Sequence, residues 1–417
     1  MTALSSETYA RAKQAGSAIS GARPCLLILG TRGIPASHGG FETFAEHLAL
    51  YLVQRGWDVT VYCQRAMTKA SVMGSEPIID DWRGVRRVSF AIGLDGPLGT
   101  IAFDWRCVQH ALHQEGVPLI LGYNTAIFSL ALRLWKRPVL MNMDGIEWSR
   151  AKWSIPARLW LYVNEWVGSL GSTKLIADHP YIADHLATRR ARKDIAMIPY
   201  GGDSITQASI KPVEELGLAP GKYFLSVGRI EPENSVLELI RAYCARARKA
   251  QFACVGKLDP ARNRYHREIF ELADGRVTFL GAIYDQERIR ALRFHALAYC
   301  HGHTVGGTNP SLVEALGAGN AVIAHDNQFN RWVAGETQLY FSNVPMLTDQ
   351  LSDIENSPET VVRLRAAASV TFSDRFSWKD VLGQYETLCE PYAHIGRPGD
   401  AAIQRTSRSI KEKRLTS

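Results

Sequence analysis

Two glycine loops hold most of the residues in this chain that could do chemistry, and the richer is Gly306-Gly307-Thr308-Asn309-Pro310-Ser311-Leu312-Val313-Glu314. Gly306 and Gly307 let a ligand approach the backbone closely, Asn309 can cap, and Pro310 suits a first helical position. Exposed N–H groups and the helix dipole would then form a cradle for a phosphate. Glu314 falls about one turn inside that helix. A carboxylate there cannot serve an anion, but it can accept hydrogen bonds from neighbouring hydroxyls such as those of a ribose. A competing reading makes Ser311 the N-cap and Glu314 its return partner in a capping box. Both stand on local sequence.

The second loop follows the apolar run Cys25-Leu26-Leu27-Ile28-Leu29-Gly30 and extends from Thr31 to Gly39 and Gly40. Phe41 to Leu52 continues at helical spacing, Arg55-Gly56-Trp57-Asp58 closes it, and Val59 to Cys63 reads as the next strand, giving a β-loop-α-β unit. Gly30, Gly33, Gly39 and Gly40 have the wrong spacing for the dinucleotide fingerprint, which argues against a nicotinamide enzyme. Farther along, Arg229 closes the strand Tyr223 to Gly228, and Lys257 closes the strand Gln251 to Gly256. In a doubly wound α/β sheet, ligands collect at the carboxyl ends of strands, so both cations face that crevice or are ordinary solvated strand-end charges.

These residues need two positioning scaffolds. A chain of 417 residues with 46% hydrophobic content is long enough for two sizeable cores. Val117 to Tyr123 reads as a buried strand, Thr125 to Lys136 as a helix and Pro138 to Met143 as the next strand, so the apolar stretch Val117 to Trp135 is not a membrane span. The Pro/Gly segment Ile198 to Asp203 marks a domain boundary. Beyond it, strands and helices keep alternating through Val277–Gly281 and Ala298–His301, and Phe376 to Pro391 carries a helical pattern.

The net charge is +7, of which the tail Ala401 to Ser417 supplies +4 and the rest +3, and no basic patch with interleaved aromatics matches a nucleic-acid module. The seven cysteines form no C-x-x-C pair and sit mostly in apolar runs, as expected of free thiols in a reducing cytoplasm. Met1 to Gly21 lacks the apolar core of a signal peptide. Trp148 to Trp166 packs Arg150, Lys152, Trp153, Arg158, Trp160 and Tyr162 into a helix-like segment, read either as a packed face with solvated cations or as a contact with a membrane surface.

Four pieces taken together resemble retaining glycosyltransferases of family 4, and more narrowly the bacterial rhamnosyltransferase-type branch: Gly30 to Pro35 with Gly39 to Thr43, Asn142 to Trp148, Gly228 to Asn234, and Gly307 to Ala315. The resemblance runs from about Pro24 to about Pro391. It implies an α/β GT-B fold in which two Rossmann-like doubly wound domains face a central cleft and a C-terminal helix crosses back to the first. The domains would be a disordered leader 1–22, an acceptor-binding domain 23–200, a nucleotide-sugar domain 201–375, a crossover helix 376–395 and a basic disordered tail 396–417.

The resemblance also implies roles. Gly39, Gly40, Arg229, Lys257, Gly307, Thr308, Asn309, Pro310, Ser311, Leu312 and Glu314 would bind a nucleotide-sugar donor, with Arg229 and Lys257 stabilising the departing diphosphate. Asp144, with Glu147 as competitor, would act on the acceptor hydroxyl. Front-face attack assisted by the leaving phosphate would retain configuration without a protein nucleophile. With no D-x-D pair in the sequence, no metal or other cofactor is expected. The favoured donor is dTDP-rhamnose, and the acceptor is a saccharide or lipid-linked saccharide of bacterial polysaccharide (exopolysaccharide) biosynthesis. The expected location is the cytoplasm, with peripheral contact at the inner membrane face.

Two departures stand out. Asn234 replaces a lysine common in relatives, and Gly306 replaces the earlier of two glutamates, whose later member matches Glu314. His301 and His303 flank that loop and are read either as donor contacts or as satisfied structural histidines. The rival classes are an epimerase or phosphorylase on the same architecture and a catalytically silent nucleotide-sugar-binding partner.

Overall fold

The computed structural model describes residues 23–36, 39–67 and 76–394, so the expected leader and basic tail lie outside the described residues. One sheet comprises β1 (Cys25–Leu29), β2 (Asp58–Ala66), β3 (Ile78–Trp82), β4 (Val85–Ile92), β5 (Val117–Leu121), β6 (Leu140–Asn142), β7 (Lys174–Ala177) and β8 (Ile195–Met197). Its eight strands run in the order β3-β4-β2-β1-β5-β6-β7-β8. The other comprises β9 (Tyr223–Val227), β10 (Gln251–Val255), β11 (Val277–Phe279), β12 (Ala298–His301), β13 (Val322–His325) and β14 (Leu339–Phe341), six strands in the order β11-β10-β9-β12-β13-β14.

Helices cover both faces, so strands such as Leu26–Leu29 and Phe252–Val255 are apolar without alternation and buried throughout. The pairings β1–β2, β1–β5, β9–β10 and β9–β12 are parallel. In each sheet the connections diverge from one strand, β1 or β9, whose neighbours on either side are reached by separate crossovers. The crevice at that switch point is where ligands of open α/β sheets bind. The loops after β1 and β5 border it in the first sheet, and those after β9 and β12 in the second.

One edge departs from the parallel pattern. β3 pairs with β4 antiparallel through the turn at Arg83 and Gly84, whose φ values of 54° and 86° are those of a primed hairpin. Arg87 ties it across strands to Asp80 at 2.6 Å.

The described residues divide into two compact units, the first holding those within 23–143, 160–175 and 384–394 and the second 144–159 and 176–383. This partition differs from a single boundary near residue 200, because the segments after β6 and β7 make their contacts with elements of the second unit. Arg150 pairs with Glu233, and Asp178 bonds to Thr308. The C-terminal helix Trp378–Cys389 starts in the second unit, where Trp378 packs edge-on against Tyr200 at 5.0 Å between ring centroids. Residues 384–394 belong to the first unit. There Glu386 accepts from Tyr51 Oη at 3.2 Å and Trp57 Nε1 at 3.1 Å and pairs with Arg55 at 2.5 Å, while Asn142 Nδ2 donates to Tyr385 Oη at 2.8 Å. This is the expected crossing helix.

Candidate active site

The second unit gathers its reactive groups at the carboxyl edge of β10, β9 and β12, which are neighbours in that order. Arg229 follows β9 and Lys257 follows β10, both exposed. Arg229 Nη1 lies 3.2 Å from Glu231 Oε1, and among the described residues Lys257 has no ion-pair partner. Asn234 is buried and donates from Nδ2 to the Arg229 carbonyl at 2.7 Å. The residue that replaces the usual lysine thus fixes the backbone that presents Arg229.

After β12 the chain passes through Gly306, whose φ of 134° only glycine adopts readily, and enters the helix Pro310–Gly317. Asn309 is the N-cap, with Oδ1 accepting from the Ser311 N–H at 3.0 Å, and Pro310 occupies the first turn. The capping box is thereby overturned. A proline at the first helical position makes the preceding residue the cap, so Ser311 is already helical and Glu314 cannot return to it. Glu314 instead pairs with the buried Arg293 of the helix Gln286–His295.

The cradle is narrower than the sequence suggests. Ser311 N–H is spent on the cap, and the amides of Leu312 and Val313 both go to the Asn309 carbonyl at 3.1 Å. Pro310 has no N–H. Leu312 is fully buried in the apolar core, which removes its side chain from any ligand. Thr308 N–H donates to Asp178 Oδ2 at 2.8 Å. Among the described residues, the Gly306 and Gly307 amides have no acceptor, and these two form the open part of the cradle.

Asp178 was not anticipated. It follows β7, and its carbonyl accepts the Thr308 hydroxyl as well. Its Oδ1 is buried without a hydrogen-bond partner among the described residues. Burial, reinforced by the charge of Asp144, raises this carboxyl to about 7. The available signal was Ala177-Asp178-His179-Pro180: an acid at a strand's carboxyl end, followed by a cap and a proline in the first helical turn.

Asp144 sits in the left-handed region, with a φ of 51°, in the loop after β6. An aspartate tolerates that conformation at some cost, and such strain concentrates at functional sites. Burial, then the nearby Glu147 charge, raises Asp144 to about 6, against the opposing pull of Arg150 and the Gly145 amide. Glu147 is committed elsewhere: Oε1 accepts from Arg150 at 2.6 Å and Oε2 from Trp153 Nε1 at 3.3 Å. Arg150 also clasps Glu233, whose carbonyl receives both the amide and the hydroxyl of Thr304 at 2.9 Å.

His301 and His303 stack at 4.3 Å with planes 5° apart. Burial drives His301 well below its ordinary value; burial and the Arg229 charge bring His303 to about 4, so both rings are neutral at neutral pH. Among the described residues neither His301 nitrogen has a hydrogen-bond partner, nor has His303 Nδ1, which departs from the reading of satisfied structural histidines.

Gly39 and Gly40 lie in the first unit, where they line a cavity of about 330 Å³ at the ends of β1 and β5 with Thr31, Arg32, Glu42 and Asp104. Thr125 Oγ1 donates to Asp104 Oδ2 at 2.7 Å, and burial raises that carboxyl to about 6. The cavity holds two carboxylates against one guanidinium, a composition suited to hydroxyl groups more than to a diphosphate. The cysteines are all free thiols. Among the described residues no cluster of three or more His, Cys, Asp or Glu side chains is grouped as a metal site requires.

The two-domain α/β architecture is shared with sucrose-phosphate synthase from Thermosynechococcus elongatus, at a TM-score of 0.72 and 19% identity over 88% of this chain and 98% of that one. It is shared as well with Anabaena HepE, solved with UDP and glucose, at a TM-score of 0.68 and 18% identity over 88% and 99% of the two chains. The fold is GT-B. Residues 221–356 match the family glycosyl transferases group 1, and residues 24–203 match a domain of unknown function, DUF1972. The chain is a glycosyltransferase. It is 22% identical over 309 residues to the GDP-mannose:cellobiosyl-diphosphopolyprenol alpha-mannosyltransferase of Xanthomonas oryzae pv. oryzae (strain PXO99A), covering 72% of this chain and 79% of that protein.

Proposed function

We propose that this chain transfers a sugar from a nucleotide-sugar donor to a saccharide or lipid-linked saccharide acceptor, with retention of configuration and without a metal. The observation that carries the reading is the alignment of Arg229, Lys257 and the open Gly306–Gly307 amides along three adjacent strand ends. Two cations and two amides suit the charge that develops on a departing diphosphate. Glu314, oriented by Arg293, offers an acceptor to the donor ribose, and Asp144 is the base for the acceptor hydroxyl. The Asp104 cavity of the first unit supplies hydrogen-bonding groups for a saccharide.

The favoured donor remains dTDP-rhamnose, on the resemblance to rhamnosyltransferases. GDP-mannose is the second reading, favoured by the mannosyltransferase relative, whose name also carries a diphosphopolyprenol acceptor. A thermal-shift panel of dTDP-rhamnose, GDP-mannose and UDP-glucose tests both, because a ligand that binds only the native state stabilises it by RT ln(1 + [L]/Kd). A shift with dTDP-rhamnose alone supports the first reading, a shift with GDP-mannose alone the second, and no shift with any nucleotide sugar defeats the donor assignment.

A further inference from the structure

The helix Ile155–Gly171 is built inside out. Asn164 and Glu165 are 0% and 1% exposed and Ser169 is buried, whereas Leu159, Trp160, Tyr162 and Val163 stand outward, Leu159 at 63%. An aqueous helix normally reverses this arrangement. The inward asparagine is well used: Oδ1 accepts from the Ile127 N–H and Nδ2 donates to the Trp160 carbonyl, both at 2.9 Å.

The short helix Ser129–Leu134 and the turn before it repeat the pattern. Ala126, Ser129 and Leu132 are buried, while Ile127, Leu130 and Leu134 share an outward stripe that ends at Trp135, with Leu134 at 78% exposure. The two helices adjoin. A methyl group on Gly168 would meet Ala126 at 3.2 Å, one on Gly171 would meet Leu130 at 3.3 Å, and Trp160 Nε1 donates to the Asn124 carbonyl at 2.8 Å. Ile127, Leu130, Leu134, Trp135, Trp160 and Val163 therefore make one apolar face within the first unit.

Its charges have a single sign at the surface. Arg133 and Lys136 are exposed beside it, and the sole carboxylate in residues 124–143 and 160–175 is the buried Glu165. No helix among the described residues is long and apolar enough to cross a membrane. Aliphatic side chains and indoles with flanking cations fit the interfacial layer of a bilayer, where anionic headgroups complement the cations. A second copy would set the same cations against one another across a two-fold axis. We infer that this face docks the protein on an anionic lipid surface. The inference extends the reading of a lipid-linked acceptor.

Flotation of the full chain with phosphatidylglycerol–phosphatidylcholine vesicles, and with phosphatidylcholine vesicles alone, tests it. Wild type should float with the anionic vesicles, less so at high salt. Leu134→Glu with Val163→Glu should reduce flotation by about tenfold or more, as should Arg133→Glu with Lys136→Glu. The donor thermal shift, read on every variant, is independent of vesicles, so loss of lipid binding with an intact donor response separates failure of this inference from failure of the transferase reading. No flotation of wild type, equal flotation of all variants, or a lipid-indifferent dimer that the Leu134/Val163 pair turns into a monomer overturns it.

Discussion

Thr308 and Asp178 hold each other from both ends, the Thr308 amide donating to Asp178 Oδ2 at 2.8 Å and the Thr308 hydroxyl donating to the Asp178 carbonyl. The pairing removes one amide from the anion cradle and fixes the loop that carries the other two. It also buries a carboxyl near Asp144, whose charge adds to burial in raising the proton affinity of Asp178. The glycine loop is shaped by an acid from a strand end 130 residues earlier, whose local sign is the run Ala177-Asp178-His179-Pro180.

That acid predicts a pH dependence of stability. A carboxyl raised from 3.8 to about 7 on folding binds its proton more tightly in the native state. Its contribution is fully present below the unfolded value and is lost as pH rises through the folded one, by up to about 4 kcal/mol. Asp178→Asn keeps an acceptor for the Thr308 amide and cannot ionise. Between about pH 5 and about pH 8 the melting temperature should fall more steeply for wild type than for the variant, in which Asp144 and Asp104, each raised to about 6, still titrate. Parallel curves would show that Asp178 titrates as an ordinary carboxyl.

Gly307 and Asp178 should be energetically coupled. A methyl on Gly307 would lie 2.5 Å from Asp178 Oδ2 and closer still to Oδ1. Gly307→Ala should therefore cost about 1–3 kcal/mol by displacing the carboxyl, and much less in an Asp178→Ala background. Additive penalties in chemical denaturation would place the glycine requirement elsewhere.

The architecture was legible because parallel strands buried on both faces are written as plain apolar runs, as in Cys25–Leu29 and Tyr223–Val227, and because glycine loops follow them. The β3–β4 hairpin was not, since Ile78-Ile79-Asp80-Asp81-Trp82 does not alternate. At the site, Pro310 already identified Asn309 as the cap. Arg293 gave no such sign: it meets Glu314 only through tertiary packing of two helices. Asp104 is likewise mid-helix, and nothing local marks it as the acid of a cavity. The inside-out helix was half legible, because its tryptophans and cations were visible but not which residues faced outward.

Glu314→Gln should act on stability and on ligand binding together. Arg293 is buried, and loss of the opposing charge leaves its guanidinium poorly compensated. The variant should melt several degrees lower and bind nucleotide more weakly. Adding Arg293→Met should restore the melting temperature and leave nucleotide affinity low. If affinity returns with stability, Glu314 serves the ion pair alone.

Arg229 and Lys257 should show the opposite separation, since both side chains are exposed and neither holds the fold. Alanine at either position should leave melting within about 0.5 kcal/mol of wild type and cost about 2–4 kcal/mol in transition-state stabilisation. Near-normal turnover in both variants would disprove their assignment to the leaving diphosphate.

Asp144 offers the sharpest division between conformation and chemistry. Its φ of 51° is left-handed, and asparagine is the side chain that accepts this backbone nearly as well, so Asp144→Asn should fold as wild type does. The substitution keeps hydrogen bonding and removes basicity. Donor-induced thermal stabilisation should persist, whereas transfer should drop by about 10²–10⁴-fold if the carboxylate is the general base. A base raised to about 6 is ionised only above that value, so wild-type transfer should climb with pH through about 6 and then level, a limb that the variant should lack. Asp144→Gly, which relieves the backbone strain without supplying a base, serves as the control. If Asp144→Asn transfers within a few fold of wild type, the residue does no more than shape its loop. Glu147 cannot simply take over, because Arg150 and Trp153 already hold both of its oxygens.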